Sequence, residues 1–68
     1  MKKDIKFTQR EREIVILLAT GLNNREIGET MFISIHTVKA HLEHMFEKTG
    51  VHNRIQLVMY AFKNGFLE

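Results

Sequence analysis

Residues 23–50 read NNREIGETMFISIHTVKAHLEHMFEKTG, and this stretch decides the fold. Helix-forming residues fill both of its ends, and Phe-Ile-Ser at 32–34 separates them. Ser34 is a favourable N-cap, because its hydroxyl can accept a hydrogen bond from a free backbone N–H of a following helix. Gly50 can end that helix in a left-handed conformation. The stretch therefore predicts a helix-turn-helix over about 23–49, with its second helix at 35–48.

The second helix of this motif has two unlike faces. Its mostly apolar face follows helical spacing and comprises Val38, Leu42, Met45, Phe46 and Thr49. The opposite face, placed at about 100° per residue, comprises His36, Ala40, Glu43 and Glu47, flanked by Thr37, Lys39 and His44. We expect the first face to pack in a core and the second to meet something outside the molecule.

Length and composition leave room for one small all-α domain. The chain has 68 residues, no proline and no cysteine, and strong helix formers are frequent. Disulfides and thiolate zinc sites are excluded, and no apolar run reaches the roughly 18 residues that cross a bilayer. No signal-peptide pattern is present, so we expect a cytoplasmic location and no membrane partner. The net charge of +2 suits nucleic acid and an ordinary helical domain equally well.

A capping box marks the start of helix 1. Thr8 and Glu11 can each bond to the other's backbone amide, so the helix begins after Thr8. Gly21 ends it. The side predicted to face the core carries Ile14, Leu17 and Leu18, whereas Val15 and Ile16 fall outside that side.

Helix 2 is predicted to begin at an asparagine. Asn23 or Asn24 can cap it, and Glu26 stands three residues after Asn23 as a capping-box partner. The helix runs to about Met31. Because Gly28 has no side chain, a crossing helix could approach it closely.

Helix 4 is predicted to carry more apolar surface than one core needs. Asn53 and Gln56 repeat the capping-box spacing, so the helix spans about 54–64. Its apolar residues cover about 200°, against the ~100° that one core requires. A second chain could cover the excess, or Phe66, Leu67 and the N-terminal segment could cover it within one molecule. The residues predicted to form a dimer contact are Ile55, Val58, Met59 and Phe62.

Short motifs follow one another along the chain from Phe7 to about Gly65. They are Thr8-x-Arg10-Glu11, Leu17-Leu18-Ala19-x-Gly21, Asn24-Arg25-Glu26-Ile27, Ile33-Ser34, Thr37-Val38-Lys39-x-His41, Lys48-x-Gly50-Val51 and Asn53-Arg54. In their types and order these motifs resemble the LuxR-type DNA-binding domain, also called the LuxR/FixJ or GerE type. The resemblance implies a four-helix, all-α domain, which we assign to 7–68, after a flexible basic segment at 1–6. It also implies a bacterial transcription regulator with helix 3 in the major groove.

The resemblance also implies roles for particular residues. The family's base-reading positions fall on Lys39, Ala40 and Glu43, and the same predicted face carries His36. Its backbone-contacting positions fall near Asn24, Ser34, Thr37 and Lys48. The family usually dimerises through its last helix, which implies a homodimer on a two-fold symmetric site in double-stranded DNA. Activation of transcription would need RNA polymerase as a further partner.

Two acidic residues depart from what a DNA-facing helix favours. Glu43 and Glu47 bring negative charge toward phosphates. Glu43 could accept a hydrogen bond from a cytosine amino group, or pair with Lys39 four residues before it. The alternative function is therefore a helical adaptor or anti-regulator that binds a partner protein. DNA binding with a steep salt dependence would separate the two functions.

The sequence gives no support for catalysis or metal binding. No nucleophile and base stand at motif spacing, no Gly-rich phosphate loop is present, and the chain is too short for a catalytic cleft. His41 and His44 are three apart on one helix, but no carboxylate or cysteine completes a ligand set. We expect no enzymatic activity, cofactor, metal or small-molecule ligand in this chain.

Overall fold

The computed structural model of the protein describes residues 6–67, which form four α-helices and no strand. α1 spans Gln9–Ala19, α2 spans Asn24–Met31, α3 spans Ile35–Thr49 and α4 spans Arg54–Lys63. The predicted all-α class is confirmed, and the ends of α3 and α4 differ from the predicted ends by one residue. The predicted flexible segment lies outside the described residues, except for Lys6. Within 6–67, no helix is both long enough and apolar enough to cross a membrane.

Side-chain caps set the helix starts. The Thr8 hydroxyl accepts from the Glu11 amide at 3.1 Å, and Glu11 Oε1 accepts from the Thr8 amide at 2.9 Å. α2 repeats this closed box with Asn23 as its cap, so Asn24 is the first helical residue. Each box satisfies two backbone donors that have no partner inside the helix.

The predicted capping box of α4 is only half formed. Asn53 Oδ1 accepts from the Gln56 amide at 2.9 Å, as predicted. Gln56 Oε1, however, accepts from the His52 amide at 2.8 Å and not from Asn53. The His52 amide lies just before the helix and also lacks a helical partner, so it competes for the same acceptor.

α1 contacts all three other helices. Because of these contacts, the residues that α1 buries differ from those predicted to face the core. Val15 is fully buried, whereas Leu17 is only half-buried and Ile16 is exposed. A helix with neighbours on several sides buries more than the single stripe that faces one partner. The buried apolar residues of the domain are Phe7, Ile14, Val15, Leu18, Ile27, Val38, Leu42, Met45, Leu57 and Ala61.

The α2–α3 turn presses against α2 at Gly28. A Cβ at this position would lie 2.8 Å from the carbonyl oxygen of Ile33, which is too close for any side chain without movement of the turn. The backbone of the turn therefore approaches Gly28 closely, and the prediction that a crossing helix does so was wrong. The same turn holds Phe32 at a φ of 59°, in the left-handed region, with its side chain 94% exposed.

Candidate nucleic-acid interface

α3 separates its buried and exposed faces as its sequence predicts. On the core side Val38, Leu42 and Met45 are buried, and Phe46 and Thr49 are half-buried. On the outer side every residue is exposed, namely His36, Thr37, Lys39, Ala40, Glu43, His44 and Glu47. The core contacts fix the rotation of the helix, so they also fix which side chains reach outward.

Two hydroxyls meet at the start of α3. Ser34 Oγ accepts from the Thr37 amide at 3.1 Å and lies 3.0 Å from Thr37 Oγ1. The first turn of the helix carries no acidic residue. Its first amides have no partner inside the helix, and the helix dipole favours an anion at this end. Ser34 and Thr37 therefore stand at an end of the helix that suits a phosphate.

Lys39 and Glu43 do not pair, although they stand four residues apart. Within 6–67 the ion pairs are Arg10 with Glu13 and Lys48 with Glu11. The ammonium of Lys39 and the carboxylate of Glu43 are thus both available on the outer face of α3. The local pairing considered for Glu43 is absent among the described residues.

Lys48 has partners inside the molecule. Its ammonium donates to Glu11 Oε1 at 2.9 Å and to the carbonyl of Lys6 at 3.1 Å, and it lies 5.9 Å from the centre of the Phe7 ring. The Lys48 side chain is 30% exposed and that of Glu11 only 4%. Lys48 thereby holds α3 against α1, and its contact with the DNA backbone stays a prediction.

Glu11 is the one buried charged residue of the described chain. Burial removes water from its carboxylate and by itself would raise the pKa. Hydrogen bonds from the Lys48 ammonium and the Thr8 amide, together with the positive charges of Lys48 and His41, outweigh that effect. The pKa of Glu11 is consequently lowered below its ordinary value, and the carboxylate is charged at neutral pH.

The start of α4 is tied to the start of α2. Arg54 Nη1 donates to Asn24 Oδ1 at 3.0 Å, and Nη2 donates to the carbonyl of Leu22 at 2.9 Å. The half-buried Asn24 is one of the predicted backbone contacts. Arg54 belongs to a motif of the sequence but had no predicted role, because its partners lie 30 and 32 residues earlier in the chain.

α4 presents an exposed apolar row. Ile55, Met59 and Phe62, which we call the α4 row, are 73%, 51% and 71% exposed, and Val58 beside them is half-buried. Leu57 and Ala61 occupy the buried side of the same helix. The row therefore lies open in the described part of a single chain.

Phe66, the last aromatic residue of the chain, packs on Phe7 and not on the α4 row. Phe66 stacks on Phe7 with ring centres 4.5 Å apart, which buries Phe7, a core residue that the sequence did not predict. Phe66 and the half-buried Leu67 leave the α4 row exposed. Any cover from residues 1–5 lies outside the described chain.

The four histidines do not assemble a metal site in the described chain. Within 6–67 no three or more side chains of histidine, aspartate or glutamate are grouped so that they could hold a metal ion. His36 and His44 are exposed and His41 is half-buried at the edge of the core.

Sequence comparison identifies relatives of the chain. The family model described as "Bacterial regulatory proteins, luxR family" matches residues 6–61. The chain is 47% identical over 57 residues to the transcriptional regulatory protein LiaR of Bacillus subtilis (strain 168), and 44% identical over 61 residues to the oxygen regulatory protein NreC of Staphylococcus aureus (strain JH9). These alignments cover 84% and 90% of this chain but only 27% and 28% of LiaR and NreC.

Two solved structures share the fold. The response regulator ChrA of a heme-sensing two-component system aligns with a TM-score of 0.89 and 38% identity, over 97% of this chain and 33% of ChrA. The transcription factor GerE aligns with a TM-score of 0.87 and 34% identity, over 91% of this chain and 92% of GerE. The predicted resemblance is confirmed: the chain is a four-helix, helix-turn-helix domain that belongs to the luxR family of bacterial regulatory proteins.

Proposed function

We propose that this domain binds DNA in a sequence-specific manner to regulate transcription, with α3 in the major groove and a second copy paired through α4. The observation that carries the proposal is the outer face of α3, whose residues are all exposed while the opposite face packs in the core. A major groove about 12 Å wide admits such a helix. The names of LiaR, NreC and GerE, which describe regulators or a transcription factor, support the same role.

Sequence reading is assigned to the outer face of α3. The Lys39 ammonium can donate to the O6 and N7 acceptors of guanine, and the Ala40 methyl can contact the methyl of thymine. Glu43, which has no ion-pair partner among the described residues, can accept from the amino group of cytosine. His36 lies on the same face, one turn before Ala40. Four neighbouring side chains of different chemistry can therefore specify a short half-site.

Positioning on the backbone is assigned to the two helix starts. Ser34 and Thr37 offer hydroxyls and nearby free amides at the start of α3, and Asn24 stands at the start of α2. Contacts of this kind fix the register of the protein on the duplex without reading sequence. Lys48 stays in the predicted set, and it would have to reach a phosphate while still bonded to Glu11.

Pairing through α4 is proposed from the α4 row and Val58. A single module of this size buries only about 600–1,000 Å² on DNA. A second copy covering the row would double that contact and would match a two-fold symmetric site. Removal of exposed apolar surface from water would stabilise the pair.

Selection from random duplex DNA tests the proposal. The unmodified chain should enrich a two-fold symmetric motif, and Lys39→Ala should blur one position in each half-site and weaken binding by about tenfold. Lys63→Ala is the control, because it removes the same charge from the exposed end of α4. The proposal is wrong if the unmodified chain enriches no motif even at low salt.

A protein-binding adaptor is the second candidate, and a specific observation favours it. Glu43 and Glu47 are both exposed on the face assigned to DNA and have no ion-pair partner among the described residues. Such a face would suit a basic protein surface. If selection yields no motif, capture of a full-length regulator by the α4 row becomes the next measurement.

A further inference from the structure

We propose that Arg54 is a positioning residue: its guanidinium holds the side-chain amide of Asn24 so that the Nδ2 NH₂ group of Asn24 is presented to a DNA phosphate. The inference rests on the proposed function, because the proposed function assigns a DNA phosphate to Asn24 as its external partner. It goes further by assigning a role in DNA binding to a residue of α4 that need not contact DNA.

The geometry brings one guanidinium to two acceptors that flank the cap of α2. Arg54 Nη2 bonds to the carbonyl of Leu22 at 2.9 Å, just before Asn23, and Nη1 bonds to Asn24 Oδ1 at 3.0 Å, just after it. Asn23 itself is fixed in its capping box with Glu26. The first turn of α2 is thus held on both sides of its cap.

The chemistry of the pair fixes which way the amide faces. A guanidinium has only donors, so the amide must turn its oxygen to Arg54. The two hydrogens on Asn24 Nδ2 then remain for another acceptor. Nδ2 has no hydrogen-bond partner in 6–67, and no buried polar side-chain atom there lacks one, so Nδ2 is not fully enclosed by the described chain. This NH₂ group lies at the start of a helix, and the start of a helix already favours an anion.

Without Arg54 the amide would lose this orientation. Its oxygen and nitrogen ends are nearly equal in shape, so a free side chain can present either end to the phosphate. The oxygen end is repelled by the phosphate and the nitrogen end is bound. Arg54 thereby acts on DNA affinity through Asn24, and lysine cannot replace it because one ammonium lacks the planar fork that spans both acceptors.

A double-mutant cycle tests the inference on the selected duplex. Asn24→Ala and Arg54→Met are each expected to weaken binding by roughly tenfold per half-site, the effect of one hydrogen bond to a charged group. The double variant should bind no more weakly than Asn24→Ala alone, because both changes remove the same contact. Additive losses would overturn the inference.

The salt dependence separates positioning from direct contact. If each Arg54 neutralised a phosphate itself, each copy would add about 0.9 to the magnitude of the slope of log K against log salt, or about 1.8 for the pair on the two-fold symmetric duplex. A neutral amide releases no counterion, so we expect Arg54→Met and Asn24→Ala to leave the slope unchanged. A slope whose magnitude falls by about 1.8 for the pair in Arg54→Met would show that Arg54 binds phosphate directly and would overturn the inference.

Asn24→Asp separates DNA binding from fold. A carboxylate can still accept from Arg54, so the variant should unfold at the same temperature or higher, yet it should bind DNA more weakly than Asn24→Ala.

Arg54→Lys replaces Arg54→Met in these tests if Arg54→Met does not fold. It should lose affinity although it keeps the charge. If the unmodified chain selects a motif and Arg54→Lys and Asn24→Asp both bind it normally, only this inference fails. If the unmodified chain selects none, the proposed function fails.

Discussion

Glu11 joins the first and third helices through a single carboxylate. It closes the capping box of α1 and also accepts from Lys48 of α3. Since Glu11 is almost fully buried while Lys48 is partly exposed, loss of the bond leaves a desolvated carboxylate without its ion-pair partner in the described chain. One residue thus stabilises a helix start and a helix pair together.

Glu11→Gln should lower the free energy of unfolding by about 1–3 kcal/mol at pH 7. Glutamine keeps an oxygen for the Thr8 amide, so the capping box survives and only the charge is lost. Glu13→Gln is the control, because its pair with Arg10 is exposed and 3.9 Å long; it should change stability by less than about 0.5 kcal/mol. Urea denaturation measures both. Equal stabilities of the two variants would contradict the role given to Glu11.

The same carboxylate should make the domain sensitive to acid. Its folded pKa lies below the unfolded value, so the folded state binds protons less readily. The stabilisation is therefore complete above about pH 5 and is lost as the pH falls through the folded pKa, below the ordinary value of about 4.3. Thermal unfolding between pH 3 and 7 should show a steeper loss for the unmodified chain than for Glu11→Gln. Parallel curves would exclude Glu11 as the cause.

Phe32 is held in a left-handed conformation with its ring in solvent. The strain of such a conformation costs roughly 1 kcal/mol for an ordinary residue and less for asparagine. Phe32→Asn should therefore unfold at a higher denaturant concentration than Phe32→Ala. Both variants remove the exposed ring, so the difference between them reports the backbone alone. If alanine is as stable as asparagine here, the turn is not strained.

At the scale of the elements, the turn between α2 and α3 depends on Gly28. Gly28→Val should lower stability by about 2 kcal/mol or more, because its Cβ meets the backbone oxygen of Ile33. Thr30→Val is the control: it adds the same β-branched residue to the same helix at an exposed position. It should cost less than about 1 kcal/mol. Chemical denaturation of the two variants gives the comparison, and similar losses would mean that the turn can move freely.

The starts of the elements could be predicted because their signals are local. Thr8, Asn23, Ser34 and Asn53 each cap the helix that the sequence predicts at that position. The second hydrogen bond predicted for the α4 capping box is absent. Gln56 has two backbone amides within reach, and the sequence does not show which of them it binds. Helical spacing also identified the outer face of α3, since one face of that helix alone is apolar.

At the scale of the molecule, the contacts that join distant segments could not be predicted. Helical spacing in α1 placed Val15 outside the core, because the number of neighbours of a helix is not encoded in its own pattern. The bonds of Lys48 to Glu11 and of Arg54 to Asn24 span 37 and 30 residues of sequence. The exposure of the outer face of α3 could be predicted without such contacts, whereas the internal partners of Lys48 could not.

Pairing of two copies should depend on the α4 row. Phe62→Ser should abolish tight binding to a two-half-site duplex while the folded monomer keeps its stability, because this ring is 71% exposed in the single chain. Ile16→Ser is the control, since it removes an exposed apolar side chain of α1 outside the row. Sedimentation and titration of full-site and half-site duplexes measure the effect. A half-site bound as tightly as the full site by the unmodified chain would contradict pairing.

The central claim, that α3 reads DNA in the major groove, is tested most directly by NMR of the isotope-labelled chain on its selected duplex. We predict nuclear Overhauser contacts between the Ala40 methyl and major-groove protons of the bases, with the largest amide shifts at the outer face of α3 and the starts of α2 and α3. Shifts confined to α4, with no contact from Ala40 to any base, would contradict the claim.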